Sequence, residues 1–144
     1  MKLRTCLLAT LVLVAGCSNG GDEVARVGSP DGRKEGVVIE KGGGATTSYW
    51  YDVCVVNTGQ ECDERTVRVV LYDASRNLQA YGVNLEWIGS ARLVVKYDSA
   101  ARVERKLIPT GLSDSVRVDL RDGVIDPTAP PGSMGRSLVR DTSE

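Results

Sequence analysis

Nineteen carboxylates and no histidine frame the chemistry open to this 144-residue chain. Without an imidazole there is no histidine general base, no serine or cysteine triad of the usual kind, and hardly any route to zinc. The carboxylates at Asp31, Asp52, Asp63, Glu64 and Asp98 are of the type glycosidases use as an acid pair, but nothing in their spacing brings two of them into one cleft. Asp119, Asp122 and Asp126 surround Gly123. A calcium loop of the EF-hand type wants carboxylates at alternate positions and a distal glutamate. The spacing fails, and Asp122-Gly123 reads as a turn. Gly42-Gly43-Gly44, followed by Ala45-Thr46-Thr47, lacks the lysine and the helix of a phosphate-binding loop and reads as a hairpin connection. No catalytic residue, no metal site and no cofactor is expected.

The thiols are more specific. Lys2 and Arg4 precede an apolar run from Leu7 to Val14, which ends in Ala15-Gly16-Cys17. A bilayer core of about 30 Å needs about 20 apolar residues as a helix, so this run is a cleavable signal over residues 1–16 rather than a span. The positive start, apolar middle and small-small-Cys end resemble the lipobox of bacterial lipoproteins. That resemblance implies a diacylglyceryl chain on Cys17 and anchoring by two or three acyl chains, where one would be marginal. Ser18 follows Cys17, and the absence of an aspartate there points to the outer membrane, on its periplasmic face, if the organism is Gram-negative. Cys6 leaves with the signal. Cys54 and Cys62 remain, and in an oxidising envelope two thiols most simply form one disulfide. Their spacing is not Cys-x-x-Cys and no neighbouring cation is placed to depress a thiol pKa, so the bridge reads as structural. Closing so short a loop stabilises by about 2–3 kcal/mol.

Removing residues 1–16 from 144 leaves 128 residues, enough for one domain with a modest core. Losing Lys2 and Arg4 from 18 basic residues, against 19 acidic ones, takes the net charge from −1 to −3. That balance offers no electrostatic basis for binding nucleic acid or anionic lipid. Residues 17–27 are polar and Gly-containing and read as a tether. Residues 127–144 carry Pro127, Pro130, Pro131, Gly132 and Gly135 with little apolar content, and read as a disordered tail.

Between these limits, over residues 28–126, the apolar period is 2. Val67-Val69-Leu71, Val83-Leu85-Trp87, Leu93-Val95-Tyr97 and Val116-Val118-Leu120 each mark one wetted and one apolar strand face. With Gly36 to Glu40 and Ser48 to Val56 they make about six antiparallel strands. Turns at Pro30-Asp31-Gly32, Asn57-Thr58-Gly59 and Ile88-Gly89-Ser90 separate them. No amphipathic helix is long enough to cover the apolar face, so an all-β meander must fold over into a small sandwich or an open barrel.

Ser29-Pro30-Asp31-Gly32, Gly44-Ala45-Thr46-Thr47, the strand from Val83 to Trp87 and Ala101-Arg102-Val103 together resemble a family of small uncharacterised bacterial lipoproteins and exported proteins. The resemblance spans about Ser29 to Leu120 and implies no assigned activity. The pair Cys54 and Cys62 is not part of that pattern.

One aromatic cluster stands out. Alternation through Tyr49-Trp50-Tyr51 puts Tyr49, Tyr51, Val53 and Val55 on one face, and Trp50, Asp52, Cys54 and Val56 on the other. Trp50 is then either an exposed partner contact, as tryptophans at interface hot spots are, or core in a sheet buried on both faces. Arg76 and Asn77 read as loop-capping residues with a contact role open to them. The expectation is a non-enzymatic, lipid-anchored binding or structural module facing the periplasm, touching the membrane through its anchor and a protein partner in the envelope. The alternative is an inhibitor or protective adaptor against a lytic enzyme, acting through the Cys54 to Cys62 loop.

Overall fold

A computed structural model of the chain describes residues 21–42, 49–75, 82–107 and 115–129, and all regular structure among them is β. Eight strands form two sheets. β1 (Asp22–Gly28), β2 (Lys34–Gly42), β3 (Tyr49–Asn57), β4 (Val67–Tyr72) and β7 (Arg102–Arg105) make a five-stranded sheet in the order β1-β2-β3-β4-β7. β5 (Val83–Trp87), β6 (Arg92–Tyr97) and β8 (Arg117–Arg121) make a three-stranded one in the order β5-β6-β8. The all-β, sandwich-like architecture agrees with the period-2 pattern, and the sheets do not close into a barrel.

Three details depart from the sequence expectation. Asp22–Gly28, of which residues 22–27 are read from the sequence as tether, is the edge strand β1, antiparallel to β2 from Asp22–Glu40 to Gly28–Glu35. A bulge between Glu23 and Ala25 puts Val24 and Ala25 both in the interior, which erases the alternation that reveals a strand. β7 is a four-residue edge strand with one apolar residue, Val103, and so carries no periodic signal. Finally, the chain is not a pure meander. After β6 it crosses to the larger sheet to form β7, then returns as β8 parallel to β6. A strand that comes back after such a crossover runs in the direction of its neighbour.

The core lies between the sheets. Val38, Tyr51, Val53, Val69 and Leu71 from the larger sheet meet Val83, Leu85, Leu93 and Val95 from the smaller one. Gly36 permits this approach, since a Cβ there would lie 3.0 Å from a Leu93 methyl and 3.1 Å from one of Leu85. Two side chains bridge the open seams of the sandwich. Trp87 Nε1–H donates to the Val27 carbonyl of β1 at 2.9 Å, and an Arg105 guanidinium N–H donates to the Val118 carbonyl of β8 at 3.0 Å. Each seam is thus pinned by a donor that needs a backbone acceptor on the facing edge.

The Ser29-Pro30-Asp31-Gly32 segment is the β1–β2 hairpin. Gly32 takes a φ of 69°, a conformation that favours glycine. Ser29 Oγ donates to Asp31 at 2.7 Å and accepts the Lys34 amide at 3.0 Å. The Ser29 hydroxyl first, and then Arg33, hold the Asp31 carboxyl down at about 2. This motif is turn chemistry.

The outer face of the larger sheet

The larger sheet is apolar on both sides. Opposite the main core, Val37, Cys54, Val56, Val67 and Val70 form a second buried cluster, with Ile39, Trp50, Cys62 and Tyr72 packed against it. No sheet covers this side among the described residues. What lies over it differs from one end to the other.

At the β1 C-terminal end the covering is the segment after β3. Cys54 and Cys62 are joined, with Cα atoms 5.8 Å apart, which draws the exposed Asn57–Glu61 turn back over Val56 and Val37. Two charged residues clasp it there. Glu35 accepts the Gly59 amide at 3.0 Å and pairs with Arg26 at 2.5 Å, while Arg26 also donates to the Gln60 carbonyl at 3.2 Å. The Gly59 amide first, then Arg26, bring the Glu35 carboxyl below its ordinary value. Thr58 closes the turn onto the hairpin, donating from Oγ1 to the Gly32 carbonyl at 2.6 Å. Beyond Cys62, Asp63 accepts the Arg65 and Thr66 amides, each at 2.9 Å, and starts the turn into β4. Burial pushes the Asp63 carboxyl up, but the Thr66 amide and hydroxyl outweigh it and the net shift is downward.

At the other end the sheet register lines up a different set. Lys41 faces Trp50, Trp50 faces Tyr72 and Tyr72 faces Arg102, so one row across β2, β3, β4 and β7 runs cation, indole, phenol, cation. The Arg102 guanidinium stacks 3.8 Å from the Tyr72 ring centre, a contact attractive to a cation over a π face. The next row is Ile39, Asp52, Val70 and Glu104. Buried Asp52 pairs with Lys41 at 2.7 Å, and Tyr72 donates its hydroxyl to Glu104 at 3.2 Å. Lys106 also pairs with Glu104 and, ahead of any other cause, holds that carboxyl below its ordinary value.

Between the two ends runs a continuous open groove. One part, of about 700 Å³, lies between Ile39, Lys41 and Asp52 and the segment from Cys62 to Arg65. The other, of about 440 Å³, has Trp50, Val70 and Tyr72 for its floor and Lys41, Glu64 and Lys106 at its rim. The parts share Lys41, Asp52, Glu64 and Val67.

The structure brings together Trp50, the paired Cys54 and Cys62, and three of the five carboxylates weighed as an acid pair; Asp52, Asp63 and Glu64 line one groove, which their spacing in the sequence does not reveal. Trp50 is half-buried, between the two readings given for it. Tyr72, Lys41 and Arg102 were missed as its neighbours. Their signal was the parity of β4 and the pairing register, and register is not readable from one strand alone. Other candidates fall elsewhere. Asp31 sits in its turn. Asp98 accepts a bond from Ser75 at 3.3 Å, and Asp119 pairs with Arg92 at 2.5 Å and Arg117 at 2.7 Å. Asp126 is held by Lys96 at 2.8 Å and by Asn84 at 2.8 Å, and Lys96 is the leading cause that drives its carboxyl far below the usual range. Among the described residues, no three or more of Cys, Asp and Glu are grouped to hold a metal ion. Cys17, Gly43–Thr47, Arg76, Asn77 and the tail beyond residue 129 lie outside the described residues. No helix among the described residues is long and apolar enough to cross a membrane.

The chain was compared with models of protein families, with curated proteins and with solved structures, and none matches.

Proposed function

We propose that this chain is a lipid-anchored, non-enzymatic binding module of the bacterial envelope, held at the membrane through Cys17 and facing the periplasm. The reading places recognition of a protein partner in the groove on the outer face of the larger sheet. One observation carries it. The groove floor combines apolar and aromatic side chains with a charged rim (Lys41, Glu64, Lys106), the composition of a recognition surface rather than of a solvated sheet face. Two of the three carboxylates lining it support the non-enzymatic part, because Asp52 is paired with Lys41 and Asp63 is held in a turn. The family resemblance carried by Ser29-Pro30-Asp31-Gly32 belongs to the same proposal.

The test has two parts. Cys17→Ser is expected to move the protein from the membrane fraction to the aqueous one while circular dichroism of the domain stays unchanged; retention in the membrane would contradict the anchor. A photo-crosslinking residue in place of Glu64 is expected to capture one envelope protein, and capture should drop when Val70→Asp disrupts the groove floor. Equal capture with and without that change would remove the groove from the reading. The inhibitor alternative keeps one observation in its favour, an exposed Asn57–Glu61 turn clasped by Arg26 and Glu35. Transfer of inhibition with that turn grafted on an inert scaffold would favour it.

A further inference from the structure

The first strand begins at the end of the molecule that carries the aromatic row. Asp22, the first residue of β1, pairs with Glu40, and the next residue of β2, Lys41, begins the row with Trp50, Tyr72 and Arg102. Asp22 lies five positions after Cys17, with four residues between them. A chain of that length spans at most about 18 Å even when fully extended, whatever its conformation. β1 then runs away for seven residues, which at about 3.3 Å per residue is about 20 Å. The Trp50 end is therefore leashed to the bilayer surface. The Trp87 end, where the second indole bonds to Val27, is the remote one.

We infer that the Lys41–Trp50–Tyr72–Arg102 end of the larger sheet docks on the phospholipid headgroup layer of the bilayer that carries the anchor. This rests on the reading of Cys17 as the acylated residue and deepens it, assigning Lys41, Trp50 and Tyr72 to lipid and leaving to protein the part of the groove between Ile39, Asp52 and the segment from Cys62 to Arg65. The residue types fit the occupant. Tryptophan and tyrosine settle at the headgroup level, because their rings are apolar and their N–H and O–H groups are not. Arginine and lysine lay their stems on apolar surface and send the charge to phosphate. Arg102, paired with Glu104 at 4.0 Å, is more exposed than Lys41, with 63% of its side chain accessible over the Tyr72 ring. Tyr49 is 42% exposed at the same end. Asp73, whose amide bonds to the Tyr49 carbonyl, and Asp98, bonded to Ser75, lie there too. Asp22 and Glu40 also lie at this end, and Lys41 and Arg102 are paired with Asp52 and Glu104, so the end carries no excess of positive charge. Docking comes from interfacial aromatics and a snorkelling arginine, and does not depend on anionic lipid.

The two tryptophans make the test internal to the molecule. The acylated full chain is reconstituted in phosphatidylcholine vesicles carrying a nitroxide on the headgroup, as Trp87→Phe, which keeps Trp50, and as Trp50→Phe, which keeps Trp87. Flotation with the vesicles reports the anchor, and fluorescence reports docking. The expected result is co-flotation of both, with Trp50 emission quenched by about twofold or more and Trp87 emission nearly unchanged, as an interfacial indole and a remote one require. Arg102→Glu, in a Trp87→Phe background, is expected to co-float and to lose most of that quenching. Co-flotation with equal quenching of both indoles, or with Trp87 the more quenched, would overturn the docking and leave the anchor standing. Absence of co-flotation would overturn both. Circular dichroism of each variant, with Trp50→Tyr held against Trp50→Phe, separates a folding defect from lost contact.

Discussion

The two halves of the outer sheet face are built from the same strands and treated in opposite ways. Over Val37, Cys54 and Val56 the chain lays its own Cys54–Cys62 loop and clasps it with Arg26 and Glu35. Around Trp50, Tyr72 and Val70 the described residues leave an open groove with charges at its rim. A sheet whose second face is apolar must cover it or use it. Among the described residues, one half is covered by the chain itself and the other is left open. The contrast teaches which residues belong to stability and which to contact, and it can be tested half by half.

The largest effect belongs to the covered half. Cys54→Ala with Cys62→Ala should cost about 2.5 kcal/mol of unfolding free energy for so short a loop, read in denaturant melts, while Trp50 keeps its quenching on vesicles. A change that abolished docking without loss of stability would reverse the division. Next comes the clasp. Glu35→Gln removes the charge that Arg26 and the Gly59 amide share, and should speed exchange of the Gly59 amide with a smaller loss of stability than the disulfide's.

Acid should act on the same half. The Glu35 and Asp63 carboxyls both lie below their ordinary values of 4.5 and 3.8 when folded. Groups with a depressed folded pKa contribute stability above their unfolded values, and that contribution is lost as pH falls through the folded ones. Lowering the pH from the ordinary carboxylate range downward should therefore loosen the 57–66 segment, seen as rising amide exchange there relative to β6. Glu35→Gln should blunt the response, and an unchanged acid profile in that variant would remove Glu35 from the clasp. The smallest effect on stability belongs to the open half. Arg102→Ala should change unfolding free energy by no more than about 0.5 kcal/mol, as at an ordinary surface site, yet reduce vesicle docking.

Much of this architecture was legible in the sequence, and the reasons for the gaps are physical. Strands such as Leu93-Val95-Tyr97 announce themselves because one face is core and the other is wet. β1 does not, because its bulge buries Val24 beside Ala25. β7 does not, because an edge strand of Arg-Val-Glu-Arg needs little apolar content. The parallel β6–β8 pair is a property of chain path, which no local pattern encodes. At the site, alternation separated Trp50, Asp52 and Cys54 from Tyr51 and Val53, a separation seen in the two clusters. The row that gives Trp50 its neighbours required the register of three strand pairs. A strand's own alternation shows which side a residue faces and leaves open what stands across from it.

In the proposed docking the open half meets a surface that the covered half does not. Hydroxyl-radical labelling measures this residue by residue, comparing the acylated chain on phosphatidylcholine vesicles with the Cys17→Ser chain free in water. Labelling of Tyr49, Trp50 and Tyr72 is expected to fall several-fold on the vesicle, while Trp87 is labelled equally in both states. Unchanged labelling at Trp50 and Tyr72, or protection at Trp87 instead, would contradict the docking.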